Sequence, residues 1–279
     1  MMRKFSTVIL AAVIGVGLLA GCGSPSTAPQ SSSAPAEDSS LKDIQAKGEF
    51  TIGLDADFAP MGFTDNNGDV VGFDIDLAKE AAAKMGLEVQ VKPIDWDSKA
   101  MELSSKKIDA IWNGFSISEE RKKEVLFSDP YLSTAQVIIV KAGSPIKTKA
   151  DLAGKKIALQ DGSTSEDAVK ADKVTYESIG DDNISRFKEN SQVLMQVDSG
   201  RADAAVIDEI FVRYYLTKEN MLDKYTILQE TFDSEDYAVG ARMEDKAFVE
   251  ALNKALAECK ADGTTAKISE KWFGENLVK

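Results

Sequence analysis

The 279-residue sequence contains no histidine and only two cysteines, Cys22 and Cys259. Without imidazole, the Ser/His and Cys/His nucleophile pairs and the commoner zinc sites are excluded. Long apolar runs are also scarce, and the run at 8–20 is shorter than the roughly 20 residues that a membrane-spanning helix needs. Lys and Arg number 33 against 46 Asp and Glu. We therefore expect no nucleic acid and no anionic membrane surface as a charge-driven partner.

The N-terminus predicts an export signal over residues 1–21. Arg3 and Lys4 precede the apolar run, which ends in Leu-Leu-Ala-Gly-Cys at 18–22. This ending resembles the lipobox of bacterial lipoproteins, in which the cysteine is lipidated after cleavage. We expect Cys22 to carry the lipid, palmitate included, and the Ser/Pro/Ala-rich stretch to residue 40 to be a flexible tether. The alternative is a plain secretory signal in which Cys22 has no role.

Cys259 is then the remaining thiol, so the sequence predicts an extracytoplasmic protein without an intrachain disulfide. Beyond residue 40, short apolar runs alternate with amphipathic helical windows. The pattern predicts strands at 50–54, 88–92, 108–112, 136–140, 156–159, 173–176 and 204–207. It predicts helices at 73–85, 97–103, 164–171, 189–199 and along the tail from 247. A βαβα rhythm of this kind predicts an α/β fold with mainly parallel sheets flanked by helices.

Two phrases repeat across the halves of the chain, KIDAI at 107–111 and GRADAA at 200–205. Each closes a helix and opens a strand, which indicates two similar α/β lobes with a ligand between them at the carboxyl ends of the strands. The apolar stripe of the tail predicts that it packs back on the first lobe. We expect lobe 1 to comprise 41–136 plus 234–279 and lobe 2 to comprise 137–233, joined by two hinge crossings.

The segment from Lys107 to Tyr131 holds the clearest candidate for a binding feature. A buried strand passes into the turn Asn113-Gly114-Phe115-Ser116, and Arg121 follows at the start of a charged helical stretch. An open glycine N–H, a hydroxyl and a guanidinium at such a junction would hold a small carboxylate. The alternative is an ordinary βα turn with a surface arginine.

Further motifs follow in a fixed order: DADFAP at 55–60, GFDIDLA at 72–78, WD at 96–97, SISEER at 116–121, FSDPY at 127–131, DGST at 161–164 and DE at 208–209. Together they resemble the family 3 solute-binding proteins of ABC-type polar amino-acid uptake systems. That group includes binders of histidine, lysine/arginine/ornithine, glutamine and cystine. The resemblance covers about residues 48–274.

The resemblance implies a two-lobed periplasmic-binding-protein-like fold of type II and capture of a polar L-amino acid by lobe closure. It also implies delivery to ABC permease subunits with a cytoplasmic ATPase, from the extracytoplasmic face of the bacterial membrane. A lipid-anchored monomer without cofactor, metal or enzymatic activity is expected. Two alternatives remain open. One is a ligand-sensing lipoprotein that acts through a partner receptor, and the other is a cleft enzyme of the dehydratase type.

By the same resemblance, Arg121 pairs with the ligand α-carboxylate, supported by Ser116 and the neighbourhood of Gly114. The physical chemistry agrees, because guanidinium matches carboxylate geometry and stays charged when desolvated. From the second lobe, Ser163 and Thr164 open a helix whose backbone N–H groups can take the same carboxylate.

Opposite the carboxylate, the resemblance assigns the α-ammonium to Asp208, although a residue at this position could simply cap the following helix. Asn113 occupies a position that is often serine in the family and is expected near the α-amino group. Phe58 and Trp96 match the two aromatic positions that sandwich the ligand side chain, while a core role is the alternative for both.

Asp55 matches the position that contacts the ligand head group in several members of the family. A carboxylate there favours a cationic or amide head group, or the distal ammonium of cystine. Gln160 and Ser165 are also expected within reach of this end. No second cation is evident nearby, so acidic ligands are disfavoured.

Overall fold

The structure, a computed structural model, describes residues 38–278. The predicted signal, Cys22 and nearly all of the tether lie outside the described residues. The helices, in chain order, are α1 (Ser40–Lys47), α2 (Phe73–Met85), α3 (Lys99–Ser104), α4 (Thr164–Ala171), α5 (Lys173–Ile179), α6 (Asn190–Asp198), α7 (Glu209–Lys218), α8 (Lys246–Ala261) and α9 (Thr264–Phe273).

The strands alternate with these helices along most of the chain. They are β1 (Glu49–Leu54), β2 (Asp57–Phe58), β3 (Gly62–Thr64), β4 (Val70–Val71), β5 (Glu88–Pro93), β6 (Ala110–Ile111), β7 (Val125–Phe127), β8 (Leu132–Lys141), β9 (Ile157–Gln160), β10 (Ile184–Phe187), β11 (Ala204–Asp208), β12 (Tyr225–Tyr237) and β13 (Gly240–Arg242).

Within the described range, two five-stranded sheets organise the fold, with strand orders β5-β1-β6-β13-β7 and β10-β9-β11-β8-β12. In the first sheet β13 alone runs antiparallel to its neighbours, and in the second sheet β8 does. The expected α/β fold with mainly parallel sheets is therefore confirmed. The inner strands of the two sheets, such as β6, β9 and β11, are wholly buried, as expected for sheets that helices cover on both faces.

Helix α2 shows how the sequence produces these elements. Ile75, Leu77 and Ala78 recur at helical spacing and are completely buried, so one face of α2 packs into the core. The helix ends at Gly86, which adopts φ 69° and whose N–H donates to the carbonyls of Ala82 and Ala83. Sequence reasoning placed this helix at the same bounds.

One predicted strand is wrong. Residues 173–176 belong to helix α5, because the Asp172 side chain accepts a hydrogen bond from the Thr175 N–H and caps a helix there. The strand that completes the parallel part of the second sheet is β10, which pairs with β9 from Ile184↔Ile157 onward. Its polar sequence ISRF carries little apolar signal. Arg121 likewise opens a three-residue 3₁₀ turn, Arg121–Lys123, rather than a longer helix.

The chain passes between the sheets twice. The first passage joins β7 to β8, and the second joins β12 to β13. Both passages lie along the antiparallel pair of β8 and β12, which runs from Tyr237↔Leu132 to Tyr225↔Lys141. The C-terminal helices α8 and α9 pack on α2. The exact lobe boundaries remain a prediction.

Among residues 38–278, no helix is long and apolar enough to cross a membrane. The same part of the chain holds no cluster of acidic or cysteine side chains suited to a metal ion. Cys259 is a buried free thiol on α8, packed in the core beneath α2.

Candidate functional site

A small cavity of about 30 Å³ lies between the two sheets. Its walls are built where strands end, because β1 leads into Asp55, β6 into Asn113, β9 ends at Gln160 and β11 ends at Asp208. All eleven residues expected in the ligand site line this cavity: Asp55, Phe58, Trp96, Asn113, Gly114, Ser116, Arg121, Gln160, Ser163, Thr164 and Asp208.

Arg121 is the buried cation of the cavity, with 9% of its surface exposed. Its Nη1 donates to the Ser116 carbonyl at 2.9 Å, and its Nη2 approaches the Gly162 carbonyl at 3.4 Å. The guanidinium carbon lies 4.6 Å from the centre of the Phe115 ring. Burial lowers the pKa of Arg121 to about 10, so it stays charged at neutral pH. No described carboxylate forms an ion pair with it.

The wall facing Arg121 comes from the start of α4. Ser163 precedes the helix without making a side-chain cap, so the first N–H groups of α4 have no side-chain acceptor. The Thr164 hydroxyl lies 3.4 Å from the Ser116 hydroxyl and donates to Glu235 Oε2 at 2.8 Å. This arrangement gathers N–H and O–H donors from both sheets near one guanidinium.

Gly114 differs from expectation in one respect. Its N–H is not open to the cavity, because it donates to the buried carboxylate of Asp74 at 2.6 Å. The glycine itself is required, since φ is 53° and an added Cβ would lie 2.6 Å from Phe58 Cε1.

Asp208 has two roles in the geometry. Its Oδ1 accepts from the N–H groups of Ile210 and Phe211, at 2.9 and 3.1 Å, and so caps α7. Its Oδ2 accepts from the Tyr237 hydroxyl and from the Thr134 hydroxyl, the latter at 2.9 Å, and the residue also lines the cavity. Burial raises the pKa of Asp208 to about 6. The helix-cap alternative is therefore correct, and it does not remove Asp208 from the cavity wall.

Asp55 and Gln160 join the two sheets at another part of the cavity wall. Gln160 Nε2 donates to Asp55 Oδ2 at 2.6 Å and to the Lys188 carbonyl at 2.9 Å. The Gln160 oxygen accepts from Asn190 Nδ2 at 3.0 Å. Burial raises the pKa of Asp55 to about 6, and no described cation pairs with it. A ligand cation would supply the missing counter-charge.

Asn113 is oriented by the backbone. Its Oδ1 accepts the Asp55 N–H at 3.1 Å, while the buried Nδ2 has no hydrogen-bond partner among the described residues. Since a side-chain amide nitrogen can only donate, this group fits a ligand oxygen better than a ligand ammonium.

The two candidate aromatic residues both border the cavity and the core. Phe58 stacks on Phe211 with centroids 5.6 Å apart and an interplanar angle of 7°. Trp96 packs edge-on against Phe115 at 5.8 Å. Two other aromatic residues, Trp112 and Phe63, do not line the cavity, because Trp112 is fully buried and Phe63 packs against Tyr214 and Trp272.

Sequence reasoning missed two residues of the cavity wall, Gln136 and Asn190, and gave Ser165 only as a possible contact. Gln136 directly precedes the apolar run 137–140 of β8, and an amide buried at the start of such a run is a usable signal. Asn190 opens α6 directly after β10, so it could not be placed without that strand. Gln136 Nε2 donates to Thr164 Oγ1 and Glu235 Oε2, each at 3.2 Å.

Two α/β lobes that enclose a cavity lined by polar side chains, with a buried cation and buried carboxylates in its walls, are typical of a small-solute binding protein. The model of the bacterial extracellular solute-binding proteins, family 3, matches residues 50–275. The chain belongs to this family, and the expected two-lobed fold and solute-binding function are confirmed.

Relatives in the family match nearly the whole chain. The L-cystine-binding protein TcyJ of Escherichia coli K12 is 30% identical over 97% of this chain and 96% of its own length. The arginine-binding extracellular protein ArtP of Bacillus subtilis is 30% identical over 98% of each chain. A crystal structure of an ABC uptake transporter substrate-binding protein from Streptococcus pneumoniae with bound histidine superimposes with a TM-score of 0.84. It is 35% identical, over 88% of this chain and all of that one.

Proposed function

We propose that this protein captures a polar L-amino acid in the cavity by closure of two lobes, 41–136 plus 234–279 and 137–233, and delivers it to an ABC permease. The observation that carries the proposal is the Arg121 guanidinium, which is buried, lines the cavity and has no described carboxylate partner. Asp167 and Glu235 favour its charge from a distance, but a buried cation without a directly bonded carboxylate still costs free energy that a ligand carboxylate offsets. The ligand names of the relatives, cystine, arginine and histidine, support an amino acid.

In this proposal the ligand carboxylate bonds to Arg121, the Asn113 amide and the first N–H groups of α4. Asp208 receives the α-ammonium, and Phe58 and Trp96 flank the side chain. Asp55 receives a cationic head group, because its carboxylate lacks a described cation. Basic amino acids and cystine therefore fit best, and a ligand with an acidic head group would meet the Asp55 carboxylate.

Contacts that already join the lobes support closure. Ser191 N–H donates to Asp57 Oδ2 at 2.9 Å, and Gln160 reaches Asp55 across the cavity. A ligand that bonds to groups of both lobes stabilises the closed arrangement over an open one. The closed outer surface would be what a permease recognises. A lipid anchor at Cys22 and a monomeric state belong to the same proposal, and Cys22 lies outside the described residues.

A thermal-shift screen tests the ligand assignment, with the 20 common amino acids, L-ornithine and L-cystine as probes. At a hundred times Kd, a ligand adds about 2.7 kcal/mol to the free energy of unfolding. For a chain of this size that raises Tm by roughly 5 to 10 °C.

Matched analogues of L-arginine isolate each end of the site. Agmatine lacks the carboxylate and D-arginine inverts the α-carbon, so neither should stabilise the protein as L-arginine does. Equal shifts from agmatine and L-arginine would contradict the carboxylate role of Arg121. No shift with any amino acid would contradict the proposed function. Recovery of the bound ligand unchanged after incubation tests the further expectation that no catalysis occurs.

A further inference from the structure

The motif GFDIDLA at 72–78 carries two aspartates on the first turn of α2, and the ligand site described above uses neither. Asp76 faces the C-terminal helix α9. Its Oδ2 accepts from Lys271 Nζ at 2.7 Å and from Trp272 Nε1 at 2.8 Å. Asp76 therefore fastens the tail of the chain to α2.

Asp74 faces the opposite way and is completely buried. Its Oδ2 accepts the Gly114 N–H at 2.6 Å. Trp112 and Tyr131 lie beside the carboxyl, and both lower its pKa against a larger rise from burial. No described lysine or arginine forms an ion pair with it. A buried acid without a counter-charge is expensive to maintain, which indicates a specific role.

That role lies in the turn that Gly114 occupies. The turn Asn113–Ser116 contributes three residues to the cavity wall, and the Ser116 carbonyl also holds the Arg121 guanidinium. Gly114 adopts φ 53°, with Phe58 and Tyr237 so close that an added Cβ would lie 2.6 and 3.1 Å from their rings. The backbone of Gly114 therefore has little room to move, and its hydrogen bond to Asp74 holds it in this conformation.

We propose that Asp74 is a positioning residue, which fixes the Asn113–Ser116 turn through the Gly114 N–H and thereby sets the places of Asn113, Ser116 and Arg121 in the cavity. Asp74 itself does not line the cavity. The effect on ligand affinity rests on the proposed function, whereas the anchoring of the turn does not.

The ionisation of this carboxyl falls in an accessible range, because burial raises the pKa of Asp74 to about 7. The groups that face it are the Gly114 N–H, the Tyr131 hydroxyl and the Trp112 indole. An ionised carboxylate accepts the Gly114 N–H more strongly than a neutral acid does. The anchor should therefore tighten as the pH rises through about 7.

Nuclear magnetic resonance of the Gly114 amide tests the anchor without any ligand. In the wild-type protein we expect its proton resonance far downfield, moving further downfield with an apparent pKa near 7. In Asp74→Asn, which keeps the side-chain volume and an acceptor oxygen, the titration should vanish and the resonance should move upfield. The control Asp76→Asn lies two residues away and should leave the Gly114 titration unchanged. The same Gly114 titration in wild type and Asp74→Asn would overturn the proposal.

Calorimetry with L-arginine as the probe then measures the consequence for binding. A displacement of about 1 Å can cost up to a hundredfold in a site of fixed geometry. We expect Kd to rise on the order of 10- to 100-fold in Asp74→Ala and by less in Asp74→Asn, with Asp76→Asn unchanged. Equal Kd in wild type and both Asp74 variants would overturn the positioning role. If L-arginine fails to bind the wild type, the ligand assignment fails and the Gly114 titration alone decides the anchor.

Discussion

Replacement of Arg121 by alanine should abolish most ligand binding while leaving the protein folded. The side chain is held in place before any ligand arrives, by the Ser116 carbonyl at 2.9 Å and by the face of the Phe115 ring. Nη2 also approaches the Gly162 carbonyl at 3.4 Å, and the remaining guanidinium N–H groups are left for the ligand. Because no described carboxylate pairs with it, its removal leaves no described anion unpaired.

The magnitude follows from that geometry. Truncating one partner of a buried, hydrogen-bonded charge pair costs about 2–5 kcal/mol. This corresponds to a rise in Kd of roughly thirtyfold to several thousandfold. Arg121→Lys keeps the charge and loses the bidentate fork, that is one charge-assisted hydrogen bond of about 1.5–3 kcal/mol. Its Kd should rise by roughly 10- to 100-fold.

Titration calorimetry with the ligand found in the screen measures these constants, and chemical denaturation measures stability in parallel. Lys122→Ala is the matched control, because Lys122 is the next residue and makes an exposed pair with Glu119 at 2.7 Å. Exposed pairs contribute less than about 1 kcal/mol, so this variant should bind like the wild type. The free energy of unfolding of Arg121→Ala should equal or exceed that of the wild type. A Kd within threefold of the wild type, or a loss of binding that merely tracks unfolding, would refute the reasoning.

The remaining predictions concern neighbouring groups. Asp55→Asn should weaken L-arginine by roughly tenfold and L-glutamine by much less, measured by calorimetry, since it removes the counter-charge for a cationic head group. Asp208→Asn should lose ligand affinity with little change in Tm, because asparagine caps helices about as well as aspartate. Gly114→Ala should lower the free energy of unfolding by roughly 1–3 kcal/mol in urea, since φ 53° and Phe58 both oppose a Cβ. Burial raises the pKa of Asp74 in the folded protein to about 7, whereas in the unfolded chain the carboxyl loses its proton near pH 4. The folded protein must keep a proton that the unfolded chain has released, so the free energy of unfolding falls as the pH rises from about 4 to 7. Asp74→Asn should flatten the fall in unfolding free energy across that window, and an unchanged slope would contradict it.

The spacing of apolar residues is sufficient to predict those helices and strands whose burial pattern is regular. Helix α2 and the strand β1 follow their apolar spacing closely. Residues 173–176 read as a strand because Val174, Thr175 and Tyr176 favour β-structure in isolation. The helix cap from Asp172 overrides that preference, and Val174 is 82% exposed, so it contributes little to any buried strand.

The candidate site is predictable from the sequence where a residue belongs to a motif. Asp55, Arg121 and Asp208 each lie in such a motif, and the structure brings them to one cavity. Hydrogen-bond directions were not predictable. The Gly114 N–H donates to Asp74, which lies forty residues away in the sequence, and only the packing of α2 against the first sheet brings the two residues together. Asn190 was missed because its position depends on β10, whose polar sequence gives no signal.

The position of β13 affects the order in which the protein can be assembled during synthesis. All five strands of the second sheet come from the continuous stretch 132–237, so that lobe has its full set of strands before the C-terminus is made. The first sheet cannot be completed as early, because β13 lies between β6 and β7 and consists of residues 240–242. Until residues 240–242 have been synthesised, β7 lacks this neighbour and exposes an unpaired edge. The lobe that contains Arg121 is therefore the last to be completed, although its first strand is among the earliest segments to emerge.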